Sequence, residues 1–189
     1  MADLGHQATA CHDHRTTSGN REWALLLEAC FAELQQTVES GDMAKTSPLR
    51  EAVAELALIE RGEIKPASRR AQQALRFGRL CLAQRLITRH LSQAALSPAM
   101  VAGLLGVSVR HLHLLFETTG TSFSQTVAAQ RMRRSRQLLR EAPQRTIAEI
   151  AHACGFASLA TFYRVFSASN GLTPAKFRDR EAAALLIAK

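Results

Sequence analysis

One short pattern occurs twice in this chain, and it restricts the fold more than any other feature. From Ser97 the sequence reads SPAMVAGLLGVSVRHLHLLF, and from Thr146 it reads TIAEIAHACGFASLATFYRVF. In the first copy Ser97 offers a helix cap and Pro98 the first helical position, where a missing N–H does no harm. Ala102 is small where two helices must cross closely, and Gly106 can take the positive φ that ends a helix. Val107 then plugs the turn, Ser108 caps the next helix, and Val109, Leu112 and Phe116 are expected on its buried face. The second copy keeps these places: Ala151 and Gly155 lie 49 positions after Ala102 and Gly106, while Ser158 and Phe166 lie 50 after Ser108 and Phe116. One additional residue therefore sits in the second turn. Thr146 with Glu149 forms a capping box, and Phe162, Val165 and Phe166 point inward. Each copy has the grammar of a helix-turn-helix.

The stretch between the copies contains SFSQTVAAQRMRRSRQLLR. Phe123, Val127, Met132 and Leu139 can line its inner side, and Arg131, Arg133, Arg134, Arg136 and Arg140 crowd the rest. A continuous helix from Ser124 to Arg140 is about 25 Å long at ~1.5 Å per residue. With helix widths added, it can hold two recognition helices roughly 34 Å apart, the repeat of successive major-groove segments on one side of B-DNA.

Ahead of the repeat the reading is simpler. Residues 1–20 are polar and expected to be disordered or loosely packed. Residues 21–78 are expected to be helical. Trp23, Leu26, Leu27, Cys30, Phe31, Leu34 and Val38 form one apolar stripe, and Ser47 with Pro48 opens a second helix carrying Leu49, Val53, Leu56 and Ile59 inward. A third helix is expected from about Ala67 to Leu91. Two helices and the start of a third are too few to bury these stripes well, so packing on the rest of the chain or pairing with a second copy is expected. No alternating β-branched pattern occurs anywhere. The fold class is therefore all-α: two helix-turn-helix subdomains (97–117 and 146–168) joined by a long linking helix, preceded by a small helical segment and followed by a tail at 181–189.

Charge divides along the same line. Up to Gly78 there are 9 Lys and Arg against 11 Asp and Glu, a balance of −2; from Arg79 onward there are 15 against 5, a balance of +10. Such an excess is the footprint of a polyanion-binding surface. Thirteen of those fifteen cations are arginine, the forked donor suited to phosphates and guanine edges. The four cysteines, Cys11, Cys30, Cys81 and Cys154, form no C-x-x-C pair, which argues against a disulfide framework or a zinc ribbon. No apolar run is long enough to span a bilayer, and the first residues lack the pattern of a signal peptide. A cytoplasmic protein without a membrane partner is expected.

From about Arg79 to Arg180 the chain resembles the DNA-binding domain of the AraC/XylS family of bacterial transcription regulators, over slightly more than half its length. The resemblance rests on the paired helix-turn-helix units, RMRRSRQLL in the linking helix, IAEIAHACGF, FYRVF and NGLTPAKFR. It implies sequence-specific binding to promoter DNA, more often activation than repression, and RNA polymerase as a partner. Many members carry a β-barrel sensor ahead of this domain. Here about 78 mostly helical residues precede it, similar to the helical dimerisation portion that follows the barrel in some relatives, so a homodimer through 21–78 is expected. Either no small-molecule effector is needed or the chain is a shortened form.

Helical spacing sets the outward faces. In the first recognition helix these are Arg110, His113, Leu114 and Glu117; in the second, Ala160, Thr161, Tyr163, Arg164 and Ser167. They lie where the family contacts bases and backbone. Arg110 and Arg164 are candidates for paired hydrogen bonds to guanine, against the alternative of a solvated or phosphate-bound arginine. His113 suits a base edge or a phosphate, or is a plain surface histidine. Thr161 and Tyr163 suit methyl or phosphate contact. Leu114 replaces a residue that is often polar or basic in the family, which suggests contact with a thymine methyl or a weaker reading of the first site; Leu159 and Ala160 replace frequent polar ones, so the family's target sequences do not carry over. The family pattern makes Arg131 a brace between the halves and leaves Arg134 near the DNA backbone. Amides around Ser108 and Ser158 offer phosphate sites.

Other chemistries fit less well. Cys11, His12, Asp13 and His14, with Cys30, lack the paired spacing of structural zinc sites. Cys154 reads as an inert core thiol, and the cysteine cluster of Ada-type methyl transfer is missing. No nucleophile with its base, phosphate loop or carboxylate pair is present, so no enzyme, cofactor or metal is expected. A DNA-coating protein without sequence preference, or a module that binds another regulator, remains as the alternative.

Overall fold

A computed structural model describes residues 13–41 and 43–187; the rest of the 1–20 stretch, with Cys11 and His12, lies outside the described residues. Among the described residues all regular structure is helical. The chain divides into two compact units, Met1–Arg85 and Leu86–Lys189.

The first unit contains α1 (Asp13–Ser40), α2 (Met43–Glu60) and most of α3 (Arg69–Arg89). Its first two helices start earlier than the sequence implies, and α3 starts two residues later. Residues 13–20 already belong to α1, and α2 begins ahead of Ser47, with Pro48 inside the helix and not at its first position. Proline there removes a single backbone bond near the helix start, where few are lost. Ser68 does act as a cap for α3, accepting from the Ala71 N–H at 3.2 Å.

Three helices prove sufficient for a core of their own. Leu26, Ala29, Cys30, Leu49, Ala52, Leu56, Ile59, Ala71, Ala74, Leu75 and Cys81 are buried together. Small residues make this possible: a Cβ on Gly78 would lie 3.1 Å from both Leu26 Cβ and Leu56 Cδ1. The Cys81 thiol is held protonated by its hydrogen bond to Cys30 and by burial. Cys30 is thus a core residue. The expected stripe of α1 is too wide, however: Phe31 is 51% exposed and Val38 60%. The core axis of α1 runs through Leu26, Ala29 and Cys30, and Phe31 and Val38 lie beyond its edge.

In the second unit come α4 (Pro98–Leu105), α5 (Val109–Glu117), α6 (Phe123–Glu141), α7 (Ile147–Ala153), α8 (Leu159–Asn170) and α9 (Pro174–Ile187). Residues 181–187, expected to be tail, continue α9. The linking helix α6 serves both halves. At its start Phe123 meets Phe116 edge-on, with centroids 5.7 Å apart. Further along, Met132, Leu138 and Leu139 join a second core with Ile150, Ala151, Cys154, Phe156, Phe162, Phe166 and Phe177. Phe177 from α9 closes that core against Phe166, while the Arg140 and Arg180 guanidinium groups lie over its outer face at 5.6 and 5.2 Å.

Candidate nucleic-acid interface

Both recognition helices are set by the same local chemistry. Ser108 Oγ accepts from the His111 N–H and Ser158 Oγ from the Thr161 N–H, each at 3.1 Å. The caps fix α5 and α8 in equivalent register, so Val109 matches Leu159, Arg110 matches Ala160, His113 matches Tyr163 and Leu114 matches Arg164. The turn before α5 is held by Gly106 in the left-handed region at φ 67°, with the Val107 N–H donating to the Ala102 carbonyl at 3.0 Å. The turn before α8 bonds likewise from Phe156 to Ala151 at 3.0 Å. Ala102 and Ala151 are both buried, as close crossing requires.

On α5 the inward side is Leu112, Leu115 and Phe116, all nearly fully buried. Val109 is not part of it: at 40% exposure it belongs to the outer surface. The first residue of a capped helix projects past the end of the core that the later turns cover, and the sequence reading missed this. Arg110, His113, Leu114 and Glu117 are exposed, as are Ser108 and Ser158. On α8 Ala160, Thr161 and Arg164 are exposed, whereas Tyr163 is half-buried and packs its ring edge-on against Phe162 at 6.3 Å. Tyr163 is therefore tied to the core edge while Arg164 stands free of it.

The arginines of α6 separate by environment. Arg131 donates from Nη2 to the Gln93 carbonyl at 2.9 Å and from Nε to the Leu91 carbonyl at 3.3 Å, and lies 5.7 Å from the Phe156 ring centre. It ties the segment before α4 to the turn before α8, which is the bracing role expected for it. Burial pulls its pKa below the ordinary arginine value. Arg136 donates to Asn170 Oδ1 at 3.1 Å, a partnership with no signal in the sequence. Arg133 and Arg134 are exposed, and Arg134 donates to its helical neighbour Gln137 at 3.0 Å. Arg140 pairs with Glu181 at 2.6 Å and holds that carboxyl below its usual range. Cys154 is fully buried, and burial pushes its thiol up to about 11. Among the described residues no group of three metal-ligating side chains converges, and no single helix is long and apolar enough to cross a membrane.

Comparison with known proteins places this geometry. Residues 101–180 match a family model described as a helix-turn-helix domain. A solved transcriptional regulator from Chromobacterium violaceum, described as having an AraC-type DNA-binding domain, is 32% identical, covers 55% of this chain and 92% of its own, and superposes with a TM-score of 0.50. The chain belongs to the AraC family. Among curated relatives, the HTH-type transcriptional regulator GlxA of Rhizobium meliloti is 38% identical over 118 residues, 60% of this chain, and the transcriptional activator NphR of a Rhodococcus species is 27% identical over 99 residues, 52% of this chain. The chain spans about a third of the length of these relatives, 36% of GlxA and 29% of NphR. The matched family model falls within the second unit, and the first unit lies outside it.

Proposed function

We propose that this AraC-type chain is a transcription regulator that binds double-stranded promoter DNA by placing α5 and α8 in two adjacent major-groove segments. The observation that carries the reading is the pair of outward faces in matched register, Arg110, His113 and Leu114 on one helix and Ala160, Thr161 and Arg164 on the other, each started by a capping serine. Arg110 and Arg164 are the base readers. Tyr163, braced against Phe162, presents its edge from a fixed position beside Arg164. Arg134 and the amides after Ser108 and Ser158 position the backbone. The positive balance from Arg79 onward draws the duplex in.

Activation, through contact with RNA polymerase, is favoured because the relative NphR is an activator. The first unit is assigned to pairing two copies of the chain. Along α1, Leu27, Phe31, Leu34 and Val38 alternate spacings of four and three, the pattern of a helix-pairing stripe, and two of the four are more than half exposed.

Selection of bound sequences from a random DNA pool, followed by salt titration on the selected and on scrambled duplexes, tests the reading. The expected result is a bipartite site and a specificity ratio of about 10³ or more. Equal affinity for both duplexes with a steep salt slope would identify a coating protein instead, and no binding to either would leave a protein-interaction module.

A further inference from the structure

Among the described residues of the second unit, the exposed large hydrophobic side chains are Leu104 at 53%, Val109 at 40%, Leu114 at 45% and Leu159 at 43%. Single exposed aliphatics are ordinary on a soluble surface, so exposure alone decides nothing. Their register does. Val109 and Leu159 each follow a capping serine and hold the first position of α5 and α8. The repeat therefore puts an aliphatic side chain at the same place in both recognition helices, flanked in each case by exposed neighbours, Ser108 and Arg110 or Ser158 and Ala160. The caps hold that place rigidly, since the serine Oγ atoms bond the third N–H of each helix at 3.1 Å.

The N-terminal residues of a recognition helix are the ones that reach base edges in the major groove. On unmodified DNA an aliphatic group has one apolar partner there, the C5 methyl of thymine. We infer that Val109 and Leu159 are specificity residues that read thymine methyl groups, one in each half of the site, with Leu114 supplying a further apolar contact in the first half. The inference rests on the proposed major-groove docking of α5 and α8. It gives each helix a division of labour: a polar reader, Arg110 or Arg164, for hydrogen bonds, and an aliphatic tip that selects a methylated pyrimidine edge. It also explains why polar residues are absent from these positions, since a methyl-reading site gains from having no group that needs a hydrogen bond.

Replacing thymine by uracil removes the methyl and keeps every hydrogen-bonding group. In the selected site each thymine is replaced in turn, and the affinity of the full chain is measured. One position in each half is expected to lose about fourfold in affinity, the value of one buried methyl. V109A should abolish the uracil effect in one half and L159A in the other, with unchanged far-UV circular dichroism showing that the helices persist. The uracil series uses the wild-type chain, so misfolding of a variant cannot imitate its result. If every uracil-substituted duplex binds as tightly as its parent, or if the variants keep the same uracil sensitivity, the inference is overturned while DNA reading stands. If the chain prefers no sequence at all, both fall.

Discussion

Gly106 and Gly155 hold the same place in the two turns and both have positive φ, 67° and 81°, yet they answer to different demands. Around Gly106 nothing lies within 4 Å of where a Cβ would stand. Gly106→Ala should therefore lose only the left-handed backbone preference, about 1–2 kcal/mol. At Gly155 a Cβ would press into the Leu91 carbonyl oxygen and come within 2.9 Å of Arg131 Nη2. Gly155→Ala should displace the Arg131 brace as well and cost more than about 4 kcal/mol. Urea unfolding of the two variants measures the difference, and equal losses would show that the brace yields freely. The residues proposed to meet DNA separate by their place, Arg164 on the outer face of α8 and Arg134 on α6. Arg164→Ala should weaken the selected site by about 1–3 kcal/mol and relax one base position, whereas Arg134→Ala should weaken all sequences alike and make the salt slope shallower by about one. Binding isotherms on selected and scrambled duplexes at several salt concentrations distinguish the two; equal effects on both duplexes from both changes would dissolve the division between readers and positioners.

At the scale of single elements, caps decide where the helices of the second unit begin, and α7 has the most complete one. Glu149 Oε2 accepts from the Thr146 N–H at 2.7 Å and from its hydroxyl at 2.9 Å, and the Thr146 hydroxyl accepts from the Glu149 N–H at 3.2 Å. The backbone bond first, and then the hydroxyl, hold the Glu149 carboxyl below its ordinary pKa of 4.5. A carboxyl lowered on folding adds stability above its unfolded pKa and loses it as pH falls through the folded value. Gln at position 149 can accept the same bonds without charge, so Glu149→Gln should be less stable than the wild type at neutral pH. The two should converge once the pH is well below 4.5. Thermal unfolding across that range tests this, and a gap that persisted in acid would assign the effect to geometry and not to charge. These caps were legible in the sequence because they are local: a serine or threonine three residues from its partner N–H needs no tertiary knowledge. So were the double helix-turn-helix and the long linker, whose buried residues recur at helical spacing. What could not be read were quantities set by neighbours far along the chain. Phe31, Val38 and Val109 fit a helical stripe in spacing, but only the positions of the other helices determine where a stripe ends. The Arg136 to Asn170 bond and the half-burial of Tyr163 are equally non-local. Pro48 misled for the opposite reason, since a strong local signal for a helix start was overridden by one further turn ahead of it.

For the molecule as a whole, a unit of balanced charge precedes a strongly basic one, with 13 Lys and Arg against 5 Asp and Glu from Leu86 onward. The first unit has its own buried core and balanced charge, 11 Lys and Arg against 11 Asp and Glu, so it lacks the cationic excess that draws a duplex. Under the proposed pairing, its exposed apolar residues Phe31 and Val38 are covered by the same stripe of a second copy. Burial of Phe31 and Val38 at such a contact would contribute about 1.5–3 kcal/mol per side chain, so charged replacements should be decisive. Sedimentation equilibrium of the wild-type chain should give a mass twice the 20.7 kDa of the monomer, and Phe31→Glu with Val38→Glu should return it to the monomer mass. Because the substitutions lie outside the DNA-binding unit, the double variant should still protect the same selected site, now one monomer per duplex and without cooperativity between neighbouring sites. A wild-type chain that sediments as a monomer at micromolar concentration would remove dimerisation from the first unit's role. A double variant that stays dimeric would move the interface to another surface of the molecule, and neither result would alter the reading of α5 and α8.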